Sequence, residues 1–92
     1  MKMLQIQAFA SGRVQGVNFR NYVHRKASQL GLKGYVRNLY DERVEILAQG
    51  ERDDIDDLID FVRSSPGLSF VTNLEINWQE ASGKLKEFRI SH

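Results

Sequence analysis

Two amphipathic helical patterns interrupt a series of alternating, strand-like segments, and this order constrains the fold more than any other feature of the chain. Alternation of apolar and polar residues predicts a strand, whereas apolar residues spaced by three and four predict a helix. The predicted elements are strands at about 3–10, 34–39, 43–49, 70–78 and 87–91, helices at about 19–30 and 53–64, and a turn at 81–84. Their order is βαββαβ, followed by a short last strand.

Each predicted helix has one apolar stripe, so both helices are expected to cover the same face of a single sheet. The stripes comprise Phe19, Tyr22, Val23, Ala27 and Leu30 in the first helix, and Ile55, Leu58, Ile59 and Val62 in the second. The short connection at 40–42 indicates an antiparallel hairpin. Right-handed crossovers then predict an α+β, ferredoxin-like two-layer sandwich, with two helices on one face of a four- to five-stranded, mainly antiparallel sheet. The first and third strands are expected to be central neighbours, with the second strand outside them.

Composition and charge narrow the class of protein. The 92 residues suffice for a single domain, 1–92, with a small core. A net charge of +1 does not favour strong nonspecific binding to nucleic acid or to an anionic membrane. Because the chain has no cysteine, it has no disulfide, no thiolate nucleophile and no cysteine–zinc site. No apolar run approaches the roughly 20 residues of a membrane span, and the N-terminal segment does not resemble a signal peptide, so we expect a cytoplasmic protein. We expect a monomer because no long apolar patch is evident in the sequence.

The loop between the first predicted strand and the first predicted helix has the features of a phosphate site. The helix N-terminus presents unpaired backbone N–H groups and a partial positive charge. Arg13 and Arg20 bracket the loop, and Asn18 is well placed to cap the helix. Asn38 follows Arg20 by eighteen residues, in a second strand-like run. A phosphate-binding loop, a guanidinium and a neutral amide together make a plausible reaction site.

Two motifs resemble those of the acylphosphatase family. Residues 12–20, G-R-V-Q-G-V-N-F-R, are similar to its phosphate-loop signature, and residues 34–38, G-Y-V-R-N, are similar to its second signature. The resemblance spans essentially the whole chain, and it implies hydrolysis of an acyl phosphate to a carboxylate and inorganic phosphate, with no metal or other cofactor. The chain departs from the family pattern at Glu42, where an Asp-Gly turn is common. A residue with a Cβ costs roughly 1–2 kcal/mol at such a position if its φ is positive.

The resemblance also implies a role for each residue of the motifs. Arg20 would hold two phosphoryl oxygens with its planar guanidinium. Asn38 would orient the attacking water but not deprotonate it, since an amide is no base at neutral pH. A phosphate oxygen of the substrate can take the proton, because an acyl phosphate has a good leaving group and needs mainly positioning and charge stabilisation. The phosphoryl oxygens would be surrounded by the backbone N–H groups of Val14, Gln15, Gly16, Val17, Asn18 and Phe19.

Other interpretations of the same residues stay open at this point. The loop can be an ordinary strand-to-helix connection, or part of a domain that binds phosphate without turnover. RNA-recognition modules share the βαββαβ order, but the predicted third strand has no aromatic residue for stacking. Arg13 and Arg37 are either surface charges or groups that attract the anion, and His24 is more simply a residue of the helix surface. No residue clearly recognises the acyl group.

Overall fold

A computed structural model describes residues 3–81 and 83–91, and its secondary structure follows the predicted order. The elements are β1 (Leu4–Arg13), α1 (Phe19–Gln29), β2 (Lys33–Asn38), β3 (Val44–Gly50), α2 (Arg52–Arg63), β4 (Phe70–Glu80) and β5 (Phe88–Ser91). The prediction that the first strand ends near residue 10 is wrong, because residues 11–13 pair with β4 through a register shift between Ser11 and Gly12. The turn predicted at 81–84 falls partly on Ser82, which lies outside the described residues.

The strands form one sheet in the order β4-β1-β3-β2-β5. Three of its pairings are antiparallel, whereas β2 and β5 run parallel. The predicted α+β ferredoxin-like sandwich and its central β1–β3 pair are confirmed. The second strand is not at the edge, however, since β5 pairs beyond it with Ser91 opposite Arg37. Because β2 and β5 run parallel, their C-terminal ends lie side by side.

The hydrophobic core lies between the sheet and the two helices. Alternate residues of the central strands contribute side chains such as Ile6, Val36 and Ile46, each at most 2% exposed. The buried residues of the helices are Phe19, Val23, Ala27, Ile55, Leu58 and Val62. Burying one large apolar side chain stabilises the fold by about 1.5–3 kcal/mol, so these stripes hold both helices against the sheet. Within the described residues, no helix is both long and apolar enough to span a membrane.

Helix α1 ends in a Schellman motif, which turns the chain into β2. The Leu32 N–H donates to the Ala27 carbonyl at 2.9 Å, and the Gly31 N–H donates to the Ser28 carbonyl at 3.1 Å. Gly31 has a φ of 73°, which glycine adopts without the penalty that a Cβ would bring. The predicted role of Gly31 as the residue after the helix C-cap is thus confirmed.

The β2–β3 hairpin contains the strained residue that the sequence indicated. Glu42 has a φ of 73°, so its backbone lies in the left-handed region, where a Cβ is unfavourable. The cost of about 1–2 kcal/mol is offset in part by Asp41, whose carboxylate accepts from the Arg43 N–H at 3.2 Å and from Arg43 Nε at 2.8 Å. The Leu39 N–H closes the hairpin by donating to the Arg43 carbonyl at 2.8 Å. These bonds fix the turn directly after Asn38.

Candidate active site

A cavity of about 300 Å³ lies where β1 leads into α1 and where β2 ends. Arg20 and Asn38, although eighteen residues apart, both line it. The other lining residues are Val14, Gly16, Asn18, Phe19, Asn21 and Ile90. Gln15 and Val17 belong to the same loop but do not line the cavity. Val17 packs against the core, and the Gln15 side chain points to the β2–β3 hairpin.

The backbone of the loop contains two left-handed residues, as the nests that bind anions in proteins do. Gly16 and Asn18 have φ values of 74° and 65°. Left-handed residues between right-handed ones turn successive N–H groups to the same side. In the described part of the chain, the N–H groups of residues 15–18 donate to no protein acceptor. The loop therefore presents several unused donors to a ligand.

The two loop glycines serve different purposes. A Cβ on Gly16 would meet no protein atom within 4 Å, so the space above it is open to a ligand. A Cβ on Gly12 would stand 2.2 Å from the Phe70 carbonyl oxygen, inside the backbone of the neighbouring strand. Gly12 is therefore required for pairing of β1 with β4, and Gly16 for the shape of the nest.

Asn18 lies at the N-cap position of α1, but its side chain does not cap the helix. Its Oδ1 accepts instead from Nδ2 of Asn21. The predicted N-cap position of Asn18 is therefore confirmed, but the side-chain hydrogen bond expected of a cap is not formed, and its backbone is left-handed. The first helical N–H groups stay available to an anion.

The electrostatics of the α1 N-terminus favour an anion. The first turn of α1 contains no acidic residue, whereas Asp53 and Asp54 balance the dipole in the first turn of α2. Arg20 adds a positive charge where the dipole is already positive. Its Nη1 donates to the Ser91 carbonyl at 3.3 Å, which anchors the half-buried guanidinium to β5 beside the cavity.

The side chain of Gln15 connects the loop to the hairpin that carries Asn38. Its Nε2 donates to the carbonyls of Leu39 and Arg43, each at 2.9 Å. Leu39 directly follows Asn38, so these two bonds set the position of the amide relative to the nest. The sequence indicated Gln15 only as a backbone donor, because its side-chain partners lie in a hairpin that becomes a neighbour only in the folded chain.

Arg37 lies outside the cavity, because it pairs with a buried carboxylate on the sheet face opposite the helices. Arg37 Nε is 2.5 Å from Glu45 Oε1, and Gln7 Nε2 donates to Glu45 Oε2 at 2.8 Å. Burial by itself would raise the pKa of Glu45, which is 2% exposed, but these hydrogen bonds and the charge of Arg37 outweigh burial and lower it. Arg37 thus serves as the counter-ion of Glu45.

Two further residues that the sequence singled out also lie outside the cavity. Arg13 is exposed at the end of β1. His24 is half-buried on α1, with its ring centroid 6.2 Å from that of Phe88. Neither side chain reaches the group of residues around Arg20 and Asn38.

A two-layer α+β sandwich with an anion-binding nest, an arginine and an amide in one cavity defines a protein that handles phosphoryl groups. The acylphosphatase family model matches residues 6–90. Acylphosphatase from Methylococcus capsulatus is 42% identical over 88 residues, which are 96% of each chain. Acylphosphatase from Caldanaerobacter subterraneus subsp. tengcongensis is 44% identical over 80 residues, which are 87% of this chain and 89% of the relative. The crystal structure of acylphosphatase from Bacillus subtilis superposes with a TM-score of 0.93 at 34% identity and covers 97% of this chain and 99% of the other. The chain belongs to the acylphosphatase family. The resemblance seen in the two motifs is confirmed, and with it an enzyme that hydrolyses acyl phosphates.

Proposed function

We propose that this enzyme hydrolyses acyl phosphates without a metal ion, with the phosphoryl group held by the nest and Arg20 and the water oriented by Asn38. The observation that carries the proposal is that the loop, Arg20 and Asn38 all line one cavity of about 300 Å³. The nest, as used below, is the backbone of residues 14–19.

Binding of the phosphoryl group follows from unused backbone donors in the loop and from the positive charge of Arg20. The nest N–H groups converge on one side, and Arg20 contributes a planar pair of donors. Each charge-assisted hydrogen bond contributes about 1.5–3 kcal/mol. Because the donors are already in place before substrate arrives, they stabilise charge on the phosphoryl oxygens with little reorganisation.

The chemical step needs positioning more than it needs a base. The water oxygen forms a bond to phosphorus while the bond from phosphorus to the acyl oxygen breaks, and its electron pair leaves with the carboxylate. Asn38 orients the water, and a substrate phosphate oxygen takes its proton. In keeping with this, the residues that line the cavity include no carboxylate and no imidazole within the described chain.

Metal independence is supported by the donors present. The polar side chains around the cavity are amides and a guanidinium, which offer a hard divalent cation no carboxylate ligand. Across residues 3–81 and 83–91, no group of three or more His, Asp or Glu side chains is placed to hold a metal ion.

Phosphate release from acetyl phosphate in excess EDTA tests the function. We expect turnover within about twofold of the rate measured with added Mg²⁺, because the nest and Arg20 supply the charge stabilisation that a metal would otherwise provide. Loss of turnover in EDTA with recovery on adding Mg²⁺ would contradict metal independence. No turnover in either condition by folded protein, across several acyl phosphates, would instead indicate a phosphate-binding domain without catalysis.

Substitution of Gln15 by Leu tests whether the loop must be tied to the hairpin. Leu keeps the apolar bulk and removes both hydrogen bonds, each contributing about 1 kcal/mol, so we expect kcat to fall about tenfold. The inhibition constant of inorganic phosphate should change less than twofold, because the nest N–H groups and Arg20 remain. Gln29→Leu, at an exposed site on α1, is the matched control. An equal loss in phosphate binding would mean that Gln15 maintains the nest itself.

The cellular setting stays a prediction from the sequence. The composition predicts a cytoplasmic monomer formed by a single domain, 1–92. The resemblance of the two motifs implies a small-molecule acyl phosphate as the partner, and the net charge of +1 does not favour nucleic acid or a membrane.

A further inference from the structure

A second cavity, about 570 Å³ in volume, lies along β2 and β5. Its charged lining residues are Arg37, Lys84, Lys86, Arg89 and Glu87, so four cations meet one carboxylate. The whole chain has 13 Lys and Arg against 12 Asp and Glu. The excess positive charge of the cavity is therefore a local concentration and not a reflection of the overall composition.

Most of this positive charge is uncompensated. Arg37 is paired with the buried carboxylate of Glu45 at 2.5 Å. Lys84, Lys86 and Arg89 are exposed, and within residues 3–81 and 83–91 none of them forms an ion pair. Three cations against Glu87 leave a net charge of +2 in the groove.

The groove opens beside the proposed reaction site. Ile90 lines both cavities. Ser91 lines the groove, and its carbonyl accepts the hydrogen bond from Arg20 at 3.3 Å. Because a strand rises about 3.3 Å per residue, the groove extends roughly 10 Å along β2, from Arg37 back to Gly34. Ile90 and Ser91 thus connect the groove to the cavity that contains the nest and Arg20.

We propose that the groove binds a negatively charged acyl group, so that the preferred substrates carry a carboxylate or a phosphate on the carbon chain. This inference rests on the proposed function of the nest. Tyr35 and Leu85 line the groove as well and offer surface to the carbon chain. Each cation lies in solvent, so its effect is modest, about 1.5- to 5-fold in affinity, and weakens with salt.

The test compares two substrates in the full-length enzyme: acetyl phosphate, whose acyl group is uncharged, and succinyl phosphate, whose acyl group carries a carboxylate. In the triple variant Lys84→Gln/Lys86→Gln/Arg89→Gln we expect KM for succinyl phosphate to rise five- to tenfold. For acetyl phosphate KM should change less than twofold, and kcat should be unchanged for both. In the wild type, the preference for succinyl phosphate should shrink as salt is raised.

The matched control removes the same amount of charge elsewhere. Arg25, Arg52 and Arg63 are exposed on the helices and line neither cavity. Their triple substitution by Gln should leave the preference for succinyl phosphate intact. The Glu87→Gln variant should lower KM for succinyl phosphate about twofold, since it removes the one opposing charge.

The outcomes separate the groove from the nest. Equal changes for both substrates, no change in the groove variant, or the same loss in the helix variant would each overturn the groove as the acyl site. Failure of folded wild-type enzyme to turn over either substrate would overturn the proposed function itself. Circular dichroism of each variant and its turnover of acetyl phosphate report whether it is folded.

Discussion

Replacement of Arg20 by alanine is expected to lower kcat/KM for acetyl phosphate by about 10²- to 10⁴-fold, because two charge-assisted hydrogen bonds to phosphoryl oxygens are lost. The loss should appear in KM and kcat together, and the inhibition constant of inorganic phosphate should rise in parallel. Arg20 lies in the first turn of a helix that has no acidic residue there. The variant therefore loses an anion ligand at a position where the cation opposes the helix dipole.

Steady-state kinetics and phosphate inhibition measure this effect. Two further variants test whether it is specific to the guanidinium of Arg20. Arg20→Lys keeps the charge but loses the planar pair of donors, so it should recover only part of the activity. Arg25→Ala removes an exposed arginine from the same helix without touching the cavity, and it should behave as wild type. Retention of phosphate binding by Arg20→Ala would show that the backbone nest suffices and that the guanidinium acts elsewhere.

Replacement of Asn38 by alanine is expected to lower kcat about 10²-fold, with the inhibition constant of phosphate changed less than threefold. The amide is proposed to position the water, and a misplacement of about 1 Å in a reacting group costs on the order of 10²-fold in rate. Asn38 makes no contribution to the nest, so binding of the phosphoryl group should persist. The two variants thus separate binding from orientation of the water.

Turnover under saturating acetyl phosphate measures the Asn38 effect, and Asn21→Ala is the matched control. Asn21 is a second amide lining the same cavity, but its Nδ2 donates to Oδ1 of Asn18. Its loss should lower kcat less than fivefold. Full turnover by Asn38→Ala, or an equal loss in Asn21→Ala, would remove the specific role of Asn38. Asn38→Asp adds a negative charge beside the nest, so phosphate binding should weaken as well.

Local patterns were enough to predict the elements and their order. The stripes of α1 and α2 and the apolar positions of β1 reflect which side chains are buried. In β3 the polar residues Glu45 and Gln49 are buried as well. The left-handed conformation of Gly31 was also predictable, because glycine followed by an apolar residue at the end of a helical pattern is typical of a Schellman motif. In the candidate site, two motifs were enough to predict that Arg20 and Asn38 lie together, and both line one cavity.

What local patterns did not predict depends on contacts between distant segments. The extension of β1 to Arg13 requires β4 beside it, and the place of β2 inside the sheet requires β5. The side-chain role of Gln15 depends on carbonyls 24 and 28 residues away. The groove has cations from β2 and from residues 84–89, which have no common pattern in the sequence. Propensity predicted the N-cap position of Asn18 but not its left-handed backbone or the absence of a side-chain cap hydrogen bond.

The uncapped first turn of α1 has a consequence for how the enzyme responds to its own product. In the proposed site the nest and Arg20 contact only phosphoryl oxygens, and a free phosphate ion offers at least as many of them as the substrate does. Such uniform binding makes turnover self-limiting as phosphate accumulates. Relief cannot come from tighter binding in the nest, since substrate and product gain equally. It can come only from contacts with the acyl group, which the product phosphate lacks. Preference for substrate over product must therefore come from residues outside the N-terminus of α1.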